Sequence, residues 1–210
     1  MLHGAPLGTL ELRSEGDGTT IRGRFPYNRP AVLSDGGRNG GRPRKERIAP
    51  GAFAYRIDRP EDEIHLLVGH DFGKPLARTG NGSLEFEDTS DALLLRAFIA
   101  GAIASTTYGG DALAGLAAGL VVGLSPGFRM PPPRAVPTEE AERVEEEDPA
   151  EGTALIRTIM QALLFEFSLV TRPAYQEAEA QIEQRSWHLT RPRLTTPTII
   201  PRPHPSARWR

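Results

Sequence analysis

The sequence predicts an α+β domain. Segments that alternate apolar and polar residues, punctuated by Gly, Asn and Asp, fill residues 7–27 and 64–99. Helical spacing is confined to short stretches. The longest apolar run, Ala112–Leu124, has about thirteen residues, against the roughly twenty that a bilayer span requires. A chain of 210 residues with 39% apolar content can bury one sizeable core, and its 22 Gly and 19 Pro imply looser segments around that core.

Taken in order, Leu7–Arg13 and Thr19–Phe25 alternate on either side of an Asp17-Gly18 turn signal and predict a first hairpin. Residues 34–47, rich in Gly and Arg, lack apolar anchors and are expected to be a loop. Ile48–Phe53 leads into a short helix in which Phe53 and Ile57 share a face. Ile64–Val68 is a short buried strand. Pro75–Arg78 and Ser83–Glu87 continue the strand pattern across Asn81-Gly82, and Ala92–Ile99 is a further strand.

Asp111 can cap a helix that runs to about Ala118 and stops at Gly119. Val121–Phe128 then predicts a strand, and Thr153–Val170 a strand pair. Between Thr138 and Glu151 eight acids face one base, Arg143, so residues 131–152 are expected to be a flexible acidic insertion. Glu177–Gln184 fits a short helix. Residues 1–184 are thus expected to form the domain. Residues 185–210 carry Arg and Pro but no acid, and are expected to be a disordered tail.

Composition narrows the functional classes. Zero cysteines remove thiol catalysis, disulfides and cysteine-based metal sites. A formal net charge of -2 argues against bulk attraction to nucleic acid. The first residues lack a basic segment followed by an apolar one, so no signal peptide is expected, and the protein is expected to be soluble with no membrane contact.

Three segments carry the chemistry. Gly69-His70-Asp71 closes one apolar run, and Gly123-Leu124-Ser125-Pro126-Gly127-Phe128 closes another, fifty-five residues later. Leu164-Phe165-Glu166-Phe167-Ser168-Leu169-Val170 sets a carboxylate inside a strand. A serine hydroxyl is a poor nucleophile without a neighbouring base, an imidazole can take its proton near neutral pH, and a carboxylate can orient that imidazole. Strict alternation puts Leu164, Glu166, Ser168 and Val170 on one face, and Phe165, Phe167 and Leu169 on the other. A carboxylate buried there needs a partner, which a histidine ring would supply.

Each residue also has a plainer reading. Ser125 can bond its own backbone at a Gly-rich strand end, His70 can be a surface side chain, and Glu166 can meet solvent at a sheet edge. Asp71 is a rival partner for His70. A metal site from His65, His70 and Asp71 is disfavoured, because five-residue spacing in a strand puts the two histidines on opposite faces.

Together with Ile48-Ala49-Pro50-Gly51-Ala52-Phe53, Pro75-Leu76-Ala77-Arg78 and Thr171-Arg172-Pro173-Ala174-Tyr175, these segments resemble the prohead proteases of tailed bacteriophages, in that family's order. The resemblance covers roughly residues 8–178, apart from the acidic insertion. It implies a serine endopeptidase related in fold to the herpesvirus assembly proteases, a closed β-barrel with flanking helices. By that match His70 is the general base, Ser125 the nucleophile and Glu166 the third member, with no metal or organic cofactor.

The implied substrates are scaffold, or the scaffold-like segment of the major capsid protein, and the enzyme itself. The implied place is the procapsid, in the bacterial host cytoplasm, and the herpesvirus analogy suggests a homodimer. On this reading the tail is a docking signal for scaffold or a self-cleaved segment. Two positions depart from the family pattern. Gly69 stands where a polar residue such as Asn is usual, and Pro126 where a non-proline is usual. Proline has no N–H to offer an oxyanion, which leaves the Gly127 N–H and Arg172 as candidates.

Two rivals are a non-catalytic capsid-assembly protein that keeps the protease fold, and a nucleic-acid module built on Arg38, Arg42, Arg44, Lys45 and the tail. The second is opposed by the eight insertion acids and by the scarcity of aromatics among those bases.

Overall fold

The computed structural model describes residues 10–15, 17–36, 41–59, 61–121 and 123–173. The helix expected after Glu177 and the Arg/Pro tail lie outside the described residues. In chain order the elements are β1 (Leu10–Glu15), β2 (Gly18–Pro26), β3 (Ala31–Ser34), β4 (Arg44–Ile48), α1 (Ala54–Ile57), β5 (His65–Val68), β6 (Asp71–Arg78), β7 (Leu84–Asp88) and β8 (Ala92–Ala100). There follow α2 (Gly101–Ala104), α3 (Thr107–Ala117), β9 (Gly123–Arg129), α4 (Thr138–Ala141), β10 (Glu142–Glu146), β11 (Leu155–Ile159) and β12 (Leu163–Val170). The chain is mostly β with a few short helices, and none of the described helices is long and apolar enough to cross a membrane.

The strands form three four-stranded sheets, in the orders β1-β2-β8-β7, β10-β11-β4-β3 and β6-β5-β12-β9. In the first, alternation does what the sequence suggests. Ile21 and Phe25 of β2 share the core face with Leu93, Leu95, Ala97 and Ile99 of β8, while Arg22, Arg24 and Arg96 point away. β1 and β2 pair as the expected hairpin, but with Glu15 opposite Gly18, so that Gly18 opens β2 instead of lying in the turn.

The third sheet packs on the first through aromatic rings. Phe167 of β12 meets Phe25 at 5.6 Å and Phe86 at 6.0 Å between ring centroids. Phe53, just before α1, fills the remaining space, 6.3 Å from Phe167 and 5.8 Å from Phe128. Such edge-to-face and tilted contacts add to the burial of large apolar surface.

The closed barrel implied by the resemblance is not formed among the described residues. β6 passes β8 and β9 passes β2 at contact distance, but no hydrogen-bonded ladder joins either pair. Both edge strands of the third sheet carry a proline, Pro75 in β6 and Pro126 in β9. A proline cannot donate to a ladder and is at home on an edge.

Other expectations need correction. The acidic segment, expected to be flexible and without fixed structure, is built into the second sheet. β10 pairs antiparallel with β11, which pairs parallel with β4, Arg44–Ile48, itself expected to be loop. The bases that the acids lack nearby in sequence come from across the sheet. Arg42 binds Glu146, Arg47 binds Glu145, Lys45 binds Glu147, and Arg157 binds both Glu142 and buried Glu46.

The two strands within Thr153–Val170, expected as a pair, do not pair with each other, and neither do the strands on either side of Asn81-Gly82. In each case one strand enters the third sheet and its sequence neighbour another. α3 begins four residues before Asp111, and its cap is Thr106, whose hydroxyl accepts from the Gly109 N–H at 3.2 Å. Gly119 ends the helix as expected, at a φ of 69°.

Candidate active site

His70 sits in the two-residue connection between β5 and β6, where Val68 pairs with Asp71. Gly69 and His70 have φ values of 61° and 62°, the positive pair that a type I′ hairpin turn demands. Glycine accepts this conformation freely. Histidine holds it at a cost of about 1 kcal/mol or more. Two bonds to β12 fasten the turn: the Gly69 N–H donates to the Leu169 carbonyl at 3.1 Å, and the His70 N–H to Ser168 Oγ at 2.8 Å.

That fastening brings the imidazole onto Glu166. His70 Nδ1 lies 2.7 Å from Glu166 Oε1, while Glu166 is 3% exposed and 46% of the His70 side chain is exposed. The other carboxylate oxygen, Oε2, accepts from Ser168 Oγ at 2.7 Å. A buried carboxylate needs such partners, and here both of its oxygens have one. Asp71 does not compete for His70. It accepts from the Gly73 N–H at 2.8 Å and pairs with Lys74 at 3.2 Å, and these, the backbone bond first, hold its carboxyl below the usual range.

Ser125 lies on β9, directly opposite Ser168 of β12. Residues directly opposite in an antiparallel pair project from the same face. Leu124 and Phe128 pack on the core, so Ser125, Gly127 and Arg129 face away from it, as do Glu166 and Ser168. The serine is 7% exposed, and its hydroxyl makes no hydrogen bond among the described residues, to His70 or otherwise. β9 is an edge strand, with β12 on one side and no paired strand on the other among the described residues.

The register of β9 against β12 slips between Leu164 and Glu166. Phe165 is the extra residue, and a bulge of this kind reverses the alternation beyond it. Leu164 therefore lies on the core face with Phe167 and Leu169, not beside Glu166 as strict alternation predicts. Phe165 turns outward, with the Arg56 guanidinium 4.2 Å and the Arg129 guanidinium 5.3 Å from its ring centre.

Gly127 has a role that its sequence did not disclose. It sits opposite Glu166, and a Cβ at this position would stand 1.9 Å from Glu166 Oε1. The absence of a side chain is what lets the carboxylate lie across β9 toward His70. His65 is not drawn into this cluster. It pairs with Glu63 at 3.7 Å and meets the Phe72 ring edge-on at 5.7 Å. Among the described residues, no group of three or more His, Asp or Glu is placed to hold a metal ion.

The arrangement is an imidazole oriented by a buried carboxylate, on the sheet face that also carries a glycine-flanked serine. A family model for caudovirus prohead serine proteases matches residues 9–192. The chain belongs to that family. The match runs through all three segments, so the family points to a serine peptidase and suggests capsid maturation, with capsid proteins in general as the substrates and the procapsid as the place of action. No curated protein and no solved structure matches the chain. Sequence reasoning on this prohead protease named His70, Ser125 and Glu166 but missed Ser168, although the Glu166-x-Ser168 spacing on one strand was a usable signal.

Proposed function

We propose that this chain is the serine endopeptidase that matures a phage procapsid, with Ser125 as nucleophile, His70 as general base and Glu166 as the group that orients and charge-stabilises His70. The observation that carries the reading is the 2.7 Å contact between His70 Nδ1 and Glu166 Oε1 beside a strand whose outward face bears Ser125. With Nδ1–H donated to the carboxylate, Nε2 is left as the base. It takes the Ser125 proton as Oγ attacks a peptide carbonyl, then returns it to the departing amine. Water releases the acyl-enzyme by the same steps. The chemistry needs no metal or organic cofactor.

The substrates are scaffold or the scaffold-like segment of the major capsid protein, and the enzyme's own chain. The site of action is the procapsid inside the host cytoplasm, and the working form is a homodimer. The unpaired side of β9 gives an extended substrate a strand to lie along.

A fluorophosphonate probe tests the nucleophile. The reading predicts stoichiometric labelling of the wild type on Ser125, with a mass shift lost in Ser125→Ala. Labelling of Ser125→Ala, or none of the folded wild type, would sink it. The rival, an assembly protein without turnover, is favoured by one specific observation: Pro126, next to Ser125, has no N–H for an oxyanion. That rival predicts an unlabelled wild type and unimpaired capsid assembly by Ser125→Ala.

A further inference from the structure

We infer that Ser168 is a positioning residue of the candidate site, fixing Glu166 and the His70 turn in one hydrogen-bonded unit. The inference rests on the catalytic reading proposed above for His70 and Glu166.

Ser168 is 0% exposed on a strand otherwise rich in large apolar residues. A hydroxyl has one proton to give and two lone pairs to receive. Ser168 gives its proton to Glu166 Oε2 at 2.7 Å and receives the His70 N–H at 2.8 Å. The carboxylate it holds is the one whose other oxygen meets the His70 ring at 2.7 Å. The result is a closed circuit from the His70 backbone through Ser168 and Glu166 to the His70 imidazole. It fixes a strained left-handed histidine and a carboxylate rotamer against each other, and it stands directly opposite Ser125.

Removing the hydroxyl takes away the partner of the His70 N–H and of the buried Glu166 Oε2. Glu166 is then free to rotate about its last bond. Its hold on Nδ1 loosens, and the imidazole is no longer kept in the form that leaves Nε2 as base. A serine that only stabilised the strand would leave the His70 tautomer unchanged.

The experiment uses the full chain labelled with ¹⁵N-histidine, as wild type, Ser168→Ala and Ser168→Cys. Cysteine keeps the size but is a weak donor and acceptor, so it carries the test if alanine lowers the folded fraction. Heteronuclear spectra report the tautomer of His70, assigned through the signals lost in His70→Asn. Fluorophosphonate labelling of the same samples reports the rate at Ser125.

The wild type is expected to hold its proton on Nδ1. Both Ser168 variants, while folded, are expected to show mixed tautomers and about tenfold to a hundredfold slower labelling. An unchanged tautomer in a folded Ser168 variant overturns the inference, whether or not labelling slows. If the wild type is not labelled at all, the catalytic reading fails, while the tautomer comparison still decides the role of Ser168.

Discussion

Glu166 reaches His70 because residue 127 has no side chain. The 1.9 Å approach that a Cβ would make to Oε1 leaves no room, and the atom displaced is part of the candidate site. Gly127→Ala is therefore expected to cost about 1–3 kcal/mol of stability, through the shift that overpacking forces, and to suppress fluorophosphonate labelling more than its fall in melting temperature explains. Retained labelling would show that the carboxylate can move without loss. Glu166→Gln keeps the shape and removes the charge, so the folded protein should label about a hundredfold to ten-thousandfold more slowly. Thermal unfolding and the labelling rate, measured side by side, separate the two effects. At this scale the sequence was informative where chemistry is rare. A serine, a histidine and a buried acid, each in a glycine-marked or alternating context, could be picked out. Gly127 could not, because what it does depends on which strand lies opposite, and register is not local, whereas Ser168 shares a strand face with Glu166 and was within reach of alternation.

Two elements show how pairing overrides local pattern. The bulge at Phe165 reverses alternation within β12, so Leu164 belongs to the core and Phe165 to the face with Arg56 and Arg129. Alternation alone cannot signal an extra residue. β10 shows the same for charge. Its acids look unpaired when only residues 138–151 are inspected, yet β4 and β11 bring Lys45, Arg47 and Arg157 beside them.

Glu147 illustrates the consequence. The Lys45 ammonium first, and then the Ala154 N–H at 2.9 Å, hold its carboxyl below the usual range. A carboxyl lowered in the folded chain contributes stability above its unfolded value, about 4.3 for glutamate, and loses it as pH falls through the folded value. Glu147→Gln should therefore be less stable than wild type at pH 7, with the gap closing as the pH drops below about 4. Urea midpoints across that range test this, and a constant gap would contradict it.

For the molecule as a whole, one aromatic cluster joins the sheet that carries the candidate site to the β1-β2-β8-β7 sheet. Phe167 touches Phe25, Phe53 and Phe86, and its neighbours Glu166 and Ser168 face the opposite way. Phe167→Ala should cost about 3–5 kcal/mol, read from urea unfolding. Because the ring underlies the site, labelling should fall with the folded fraction and no faster. The strand-rich character and most strand positions were legible from alternation and turn residues. The grouping into three sheets was not, since sequence neighbours such as β11 and β12 part company. The expected barrel does not close among the described residues, where a proline sits on each edge strand of the third sheet.

The role proposed for Ser125 is the cleavage of capsid-assembly chains. The decisive measurement is intact mass after co-expression with the major capsid protein of the same phage, comparing wild type with Ser125→Ala. A shortened capsid or scaffold chain is expected with the wild type only. Full-length chains in both, with capsids still assembled, or equal shortening in both, would contradict it.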